Sequence, residues 1–293
     1  MKQQEGRILK AVSGFYYVET PDGLVECRAR GKFRREGIHP AAGDLVRLSL
    51  QGEDKGELEE ILPRRNYLVR PPLANIDRLF IVSSVRDPSP NWYVIDKITA
   101  VAFRKAIEPV IIFTKSDLGD CTPGLDIYRL AGIRTICCSL EDPEMPEELF
   151  SLLKGQVSAF TGNTGVGKSS LLNRLFPHLS IATGEISRKL GRGRHTTRHS
   201  ELYPLPIGGY VADTPGFSTV DMERYETIEE EALASCFPEM EEFADKCRFT
   251  GCSHRVEKGC AVLQAVQDGA IAPSRHDSYC RMLTEIRSKP FGK

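Results

Sequence analysis

Residues Gly162-Asn163-Thr164-Gly165-Val166-Gly167-Lys168-Ser169 read G-x-x-x-x-G-K-S, and no other stretch limits the fold so tightly. The apolar run Val157-Ser158-Ala159-Phe160-Thr161 before it suits a buried strand. The residues after it, Ser170-Leu171-Leu172-Asn173-Arg174-Leu175-Phe176, are apolar at helical spacing. Strand, glycine-rich loop and helix in that order form a phosphate cradle. Glycines let successive N–H groups turn inward, and the helix N-terminus adds partial positive charge. Lys168 is placed to reach the outer phosphates, the Ser169 hydroxyl to hold Mg²⁺, and Ser170 to complete the nucleotide contacts.

A cradle of this kind needs a parallel sheet, and the central sequence supplies one. Arg78–Ser84 and Pro109–Phe113 are continuous apolar runs, as strands covered on both faces require. Helical patterns over Asp96–Lys105, Leu125–Ala131 and Pro146–Lys154 alternate with strands, a third at Arg134–Cys138 and the next being the one before the phosphate loop. The second of those runs ends in Thr114-Lys115-Ser116-Asp117, a T-K-x-D at the carboxyl end of a strand, where open α/β sheets bind ligands. A carboxylate there accepts two hydrogen bonds from the N1–H and exocyclic amine of guanine. Adenine offers no such pair and would leave Asp117 unpaired. Thr114 stands where Asn is commoner, so one tether to the phosphate loop is expected to be missing. Ser139-Leu140 occupies the place of a Ser-Ala whose N–H meets the guanine O6.

Downstream, Arg188–Arg198 is basic, glycine-rich and free of strand or helix pattern, which suits a mobile switch loop. Thr197 is the expected Mg²⁺ ligand and γ-phosphate sensor. Tyr210-Val211-Ala212 then enters Asp213-Thr214-Pro215-Gly216, a D-x-x-G that holds Mg²⁺ through Asp213 and contacts the γ-phosphate through Gly216. Phe217 follows, where a water-orienting glutamine is usual. A phenyl ring cannot move a proton, so slow intrinsic hydrolysis is expected, with His195 the candidate catalytic residue or, equally, an RNA contact.

The flanks carry other chemistry. Before residue 63, five short strand-like runs suggest an oligonucleotide-type barrel: Gly6–Val12, Phe15–Thr20, Leu24–Arg30, Asp44–Leu50 and Glu57–Leu62. At the end of the third and into a loop, Arg28, Arg30, Lys32, Arg34 and Arg35 surround Phe33, basic residues for phosphates and an aromatic for stacking. Residues 63–72 look like a proline-stiffened linker. Near the other end, Cys247, Cys252, His254 and Cys260 fall at C-x4-C-x-H-x5-C, a full tetrahedral shell for a structural Zn²⁺. The remaining cysteines, Cys27, Cys121, Cys137, Cys138, Cys236 and Cys280, read as core residues. Helices are expected over Ala261–Asp268 and Ser274–Ile286.

Net charge is −1 over 293 residues, so affinity for nucleic acid must come from local patches. Nine cysteines without an N-terminal apolar segment argue against a secreted, disulfide-built protein, and no apolar run approaches membrane-spanning length. A cytoplasmic monomer without membrane contact is expected. The predicted organisation is a barrel domain over 1–68, an α/β P-loop domain over 73–220 and a helical zinc domain over 221–293. The base loops precede the phosphate loop, so the central domain is circularly permuted relative to an ordinary GTPase, and Gly216 feeds directly into the zinc domain.

That combination resembles the RsgA family of small-ribosomal-subunit-dependent GTPases. The features in common are the barrel, G-x-x-G-V-G-K-S-S-L-L-N, G-R-H-T-T, D-T-P-G-F and the zinc pattern, and together they cover essentially the whole chain. The resemblance implies a GTPase that binds the small subunit late in its assembly, touches 16S rRNA, hydrolyses GTP when docked and leaves. Two rivals follow from the residues. A P-loop kinase would not need Asp117. An RNA-binding module with a merely structural GTP/GDP site would not need Lys168, Ser169 and Asp213 intact.

Overall fold

Alternating apolar residues close the N-terminal strands into a barrel. In the computed structural model, which describes residues 2–35, 37–52, 54–177, 200–213 and 227–288, the strands are β1 (Gln3–Val12), β2 (Phe15–Thr20), β3 (Gly23–Ala29), β4 (Leu45–Leu50) and β5 (Lys55–Ile61). β1 pairs antiparallel with both β2 and β4, β2 with β3, β3 parallel with β5, and β5 antiparallel with β4, which closes the ring. Inside lie Ile8, Val18, Val25, Cys27, Val46, Leu48 and Leu58. Each large aliphatic side chain so buried stabilises the fold by about 1.5–3 kcal/mol.

By its contacts the chain forms two compact units. One draws on Met1–Leu79, Glu147–Phe160 and Ser169–Phe217, the other on Phe80–Pro146, Thr161–Lys168 and Ser218–Lys293.

In the first unit the barrel continues into further strands. β6 (Tyr67–Leu68) pairs with β7 (Leu73–Ala74), and Leu68, Leu73 and Ala74 are fully buried. Asn66 and Asn75 lock this hairpin through hydrogen bonds to the backbone of Ile76, Arg65 and Gly43. The stretch over 63–72 expected to be a proline-stiffened linker therefore contributes to a packed element. Gly43 is required beside it: its φ is +92°, and a Cβ there would lie 2.0 Å from Ala74 O. β1 also pairs with β12 (Glu201–Pro204), β12 with β13 (Tyr210–Asp213), and β13 in parallel with β11 (Val157–Gly162). Lys10 pairs with Glu201 at 2.7 Å, the Tyr210 hydroxyl donates to Glu19, and the Arg7 guanidinium lies over the Tyr210 ring.

In the second unit, which takes up β8 (Arg78–Ser84) from Phe80 onward, β8, β9 (Glu108–Thr114) and β10 (Arg134–Cys137) are neighbours, with β9 and β10 parallel. The residues of β9 from Pro109 to Thr114 are all buried, as a covered sheet demands. Helices α2 (Trp92–Arg104) and α3 (Thr122–Leu130) pack here through the Trp92, Phe113 and Tyr128 rings. Gly124 lets α3 come close, since a Cβ there would meet Phe113 at 2.5 Å.

The C-terminal helices α6 (Glu230–Leu233), α7 (Pro238–Ala244), α8 (Ala261–Gln267) and α9 (Pro273–Ser288) bury Leu233, Phe237, Met240, Val262, Tyr279, Met282 and Leu283. Arg275 on α9 is fully buried. It donates to Glu239 at 2.7 Å, Asp96 at 3.0 Å and Thr99 at 2.9 Å, and Asp96 also accepts from the Tyr128 hydroxyl. Among the described residues, no helix is long and apolar enough to cross a membrane.

Candidate functional site

The phosphate loop leaves β11 at Gly162 and enters α5 (Lys168–Leu175). Gly162 permits close passage over β8, because a Cβ there would sit 2.4 Å from Val82 O. Gly165 and Gly167 have φ of +87° and +86°, conformations that turn backbone N–H groups into one concavity. Val166 is buried and pins the loop, whereas Asn163, Thr164 and Gly165 are exposed where phosphates would arrive. Lys168 and Ser169 are half-buried in the first turn of α5, and Ser170 beside them is exposed.

The base loops converge on this turn. The Thr114 hydroxyl is fully buried and lies 2.6 Å from Val166 O and 3.1 Å from Ser83 O. The tether expected to be missing without Asn is thus present, because the shorter side chain still reaches the phosphate-loop carbonyl. Lys115 takes a left-handed conformation and donates to Asp87 O, which swings the chain into a 3-10 turn over Ser116–Leu118. Ser139 Oγ donates to the exposed Asp117 carboxylate, and the Ser139 N–H is taken by Asp142 at 3.2 Å. Thr114 and Leu140 both face Gly167, since a Cβ there would lie 3.8 Å from the Thr114 hydroxyl and 3.9 Å from the Leu140 side chain. Three sequence segments far apart in the chain, 114–117, 139–140 and 162–168, therefore meet at one place. An acceptor for a guanine edge at one end and a nest of N–H groups with a lysine at the other suit a guanine nucleotide. Thr197, His195 and Gly216 lie outside the described residues; Asp213 ends β13, and its side chain too lies outside them.

Cys247, Cys252, His254 and Cys260 bring one ligand atom each within 4.8 Å of one another. The sulfurs of Cys247 and Cys260 are 3.8 Å apart, and each lies 3.5 Å from His254 Nδ1. These separations fit a tetrahedral shell for zinc. The donor chemistry agrees. Burial holds His254 below the usual imidazole range, in its neutral, ligating form. Burial, with neighbouring sulfurs adding to it, pushes the Cys252 thiol up to about 12, a cost that a divalent cation removes. The loop is held from behind, since His276 Nε2 bonds His254 O at 2.7 Å and the Tyr279 hydroxyl donates to Ser253 O. Glu257 accepts from the N–H groups of Ser253, Arg255 and Val256 and from the Ser253 hydroxyl. None of these loop-holding partners was marked by the ligand spacing.

The basic cluster is only partly as expected. Residues Gly31–Arg35 form a short helix, α1, rather than a loop, and Phe33 points into the barrel core at 4% exposure. It is therefore no stacking platform; capping the barrel end buries its ring. Arg30 is held by Glu57 and Glu59, while Arg28 and Arg35 are exposed, Lys32 is half-buried, and the side chain of Arg34 lies outside the described residues. Arg28 instead lies over Phe15, 4.8 Å from its centroid, an aromatic that the clustering of charges did not single out.

Comparison with known proteins adds the decisive observation. The family described as RsgA GTPase matches residues 61–223, and the RsgA N-terminal domain matches 5–58. The chain belongs to the RsgA GTPase family. A relative from Caldanaerobacter subterraneus subsp. tengcongensis, named small ribosomal subunit biogenesis GTPase RsgA, is 44% identical over 99% of this chain and 98% of its own. One of the same name from Streptococcus pneumoniae is 42% identical over 97% and 95%. The solved structure of YloQ, a circularly permuted GTPase, superposes with a TM-score of 0.82 at 36% identity, covering 99% of this chain and 97% of that one. YjeQ from Thermotoga maritima gives 0.81 at 33%, covering 98% and 100%. A GTP hydrolase of the RsgA GTPase family, this chain has the expected closed barrel, permuted nucleotide domain and cysteine–histidine cluster.

Proposed function

We propose that this GTPase binds the small ribosomal subunit in its late maturation and hydrolyses GTP in response to it. The observation that carries the reading is the tie of Thr114 to the phosphate loop at Val166, together with the Ser139–Asp117 hydrogen bond that joins the two base loops. Likeness to the named relatives over both flanking regions supports the choice of partner.

In this reading residues 1–68 contact rRNA, 73–220 bind and hydrolyse GTP, and 221–293 are built on zinc held by Cys247, Cys252, His254 and Cys260. Asp117, with Lys115 and Ser116 shaping its turn, selects guanine, and the Leu140 segment lies beside the base. Residues Gly162 to Ser170 cradle the phosphates. Ser169, Thr197 and Asp213 are hard oxygen donors suited to Mg²⁺, which neutralises charge on the phosphates. Gly216 senses the γ-phosphate. Phosphoryl transfer asks mainly for positioning, and Phe217 cannot orient water, so His195 is assigned that task once the subunit is docked. Arg28, Lys32, Arg34 and Arg35 contact the phosphates of 16S rRNA, with Arg30 behind them. The protein acts as a cytoplasmic monomer that cycles between GTP and GDP.

The Asp117→Asn variant tests the nucleotide assignment. It should weaken GTP binding and gain affinity for xanthosine triphosphate, because the amide replaces an acceptor by a donor. Unchanged GTP affinity would remove Asp117 from the base site.

A further inference from the structure

Two cysteines bracket the guanine loops. Cys121 caps the N-terminus of α3, four residues after Asp117, and Cys137 ends β10, two residues before Ser139. They are joined as a disulfide with Cα atoms 6.5 Å apart, so they are not the separate core residues their sequence surroundings suggest. That separation lies within the range a bridge spans. The bridge encloses α3 and ties the chain after Asp117 to the strand before Ser139.

The same two segments already touch. Ser116 N–H donates to Cys138 O at 3.3 Å, Cys138 N–H to Phe113 O at 2.9 Å, and Ser139 Oγ to Asp117. Apart from the bridge, the segment from Gly119 to Cys121 is held locally, by Asp120, which accepts from the Thr122 N–H and hydroxyl, and by the Cys121 carbonyl, which accepts from the Gly124 and Leu125 N–H groups of α3. None of these bonds reaches β10. Both paired cysteines are half-buried and open to a small reagent. Cys138 beside them is buried, its thiol pushed up to about 11 mainly by burial, and stays inert. The other seven cysteines of the nine are unbridged. A chain of that kind is not made for an oxidising compartment, and an isolated pair in it is of the transient, redox-responsive sort.

We propose that Cys121 and Cys137 form a reversible dithiol–disulfide site that holds the two guanine loops together and slows guanine-nucleotide exchange when oxidised. The inference rests on the guanine reading of Asp117. The oxidant is a low-molecular-weight disulfide. One cysteine thiolate attacks a sulfur of that disulfide, forming a mixed disulfide and expelling one small thiolate. The second cysteine thiolate then attacks the protein sulfur of the mixed disulfide and expels the other. The protein dithiol loses two electrons, the small disulfide gains them, and the released protons go to the two leaving thiolates. A small dithiol reverses the sequence.

The test uses the full-length, zinc-loaded protein treated with oxidised glutathione and then with dithiothreitol, its zinc content being checked at each stage. Release of a fluorescent GDP is followed alongside peptide mapping of alkylated thiols. Oxidation should remove Cys121 and Cys137 from the alkylated set and slow release about threefold to tenfold, the usual worth of fixing one or two mobile groups. Dithiothreitol should restore both. Cys121→Ser, or Cys121→Ala if the serine variant folds poorly, should release GDP at the reduced wild-type rate under either treatment. A bridged protein that releases GDP as fast as the reduced one overturns the proposal, and so does failure of the two thiols to pair. Asp117→Asn run in parallel separates this from the underlying reading: only if that variant keeps its GDP affinity is the guanine site itself at fault.

Discussion

The N-terminal barrel and the C-terminal helical region are held together by opposite means. The barrel is closed by five strands over an aliphatic core, and most of its ion pairs, such as Arg47 with Glu5 and Glu60, lie at the surface where they contribute little, the pair of Arg64 with the buried Asp44 being the exception. The C-terminal region is stitched by polar groups out of water. Arg275, fully buried between Glu239 and Asp96, has its guanidinium charge secured by those carboxylates against the cost of burial. Nearby stand three thiols and an imidazole placed for one cation. A stability spread over many methyl groups tolerates single losses, whereas one concentrated in a few charges does not. The two ends of the molecule should therefore answer differently to the same kind of insult.

The largest difference should come from the metal. Chelation, or Cys252→Ser, should unfold residues 227–288 while the barrel and nucleotide binding survive, since structural zinc is worth about 10–16 kcal/mol to a small domain. Metal analysis at near-unit zinc and limited proteolysis check this. A protein that contains no zinc yet keeps this region protected would break the comparison. Next, Arg275→Met should cost about 3–5 kcal/mol, because Glu239 and Asp96 would be left buried without their cation. Denaturant melts measure it, and the triple change Arg275→Met, Glu239→Gln, Asp96→Asn should recover part of the deficit.

Acid should sharpen the contrast. Burial lowers the His254 pKa, so stability stored there is present above about 6.5 and is lost as pH falls. Burial raises the Glu257 carboxyl, but the Ser253, Val256 and Arg255 hydrogen bonds outweigh it and carry its pKa well below the usual range. Its contribution is full above about 4.3 and declines below. Hydrogen exchange should show the 247–260 loop opening first as pH drops, with the barrel still closed. The smallest effect on the fold is expected from changing Arg28, Arg30, Lys32, Arg34 and Arg35 to Gln. Melting should barely move, yet binding to the small subunit should weaken and become less sensitive to salt, the slope falling by about 0.9 for each phosphate no longer neutralised. An unchanged slope would make these residues a solvated edge.

Much of this was legible in the sequence because it depends on local patterns. Apolar alternation marked the five barrel strands to within a few residues, and the phosphate loop announced its own strand and helix. What escaped depends on partners distant in the chain. β12 is four residues long and exists because β1 and β13 flank it. Arg275 looks like a solvent-facing helix residue until Asp96, 179 positions away, is placed against it. Phe33 read as an exposed aromatic among cations, but the turn of α1 carries its ring into the barrel. At the candidate nucleotide site the motif letters pointed to Asp117 and Lys168, while the Thr114–Val166 and Ser139–Asp117 hydrogen bonds that hold the loops together needed coordinates.

The central claim is that GTP hydrolysis here answers to the small subunit, and one measurement tests it most directly. GTP turnover is followed for the protein alone, then with small subunits, large subunits and naked 16S rRNA. Slow turnover alone and a large rise with small subunits only is the predicted result. In single turnover at saturating small subunits, His195→Ala should cut that rate by about 10²–10⁴-fold with GTP affinity unchanged. Turnover that is the same with and without small subunits would contradict the account.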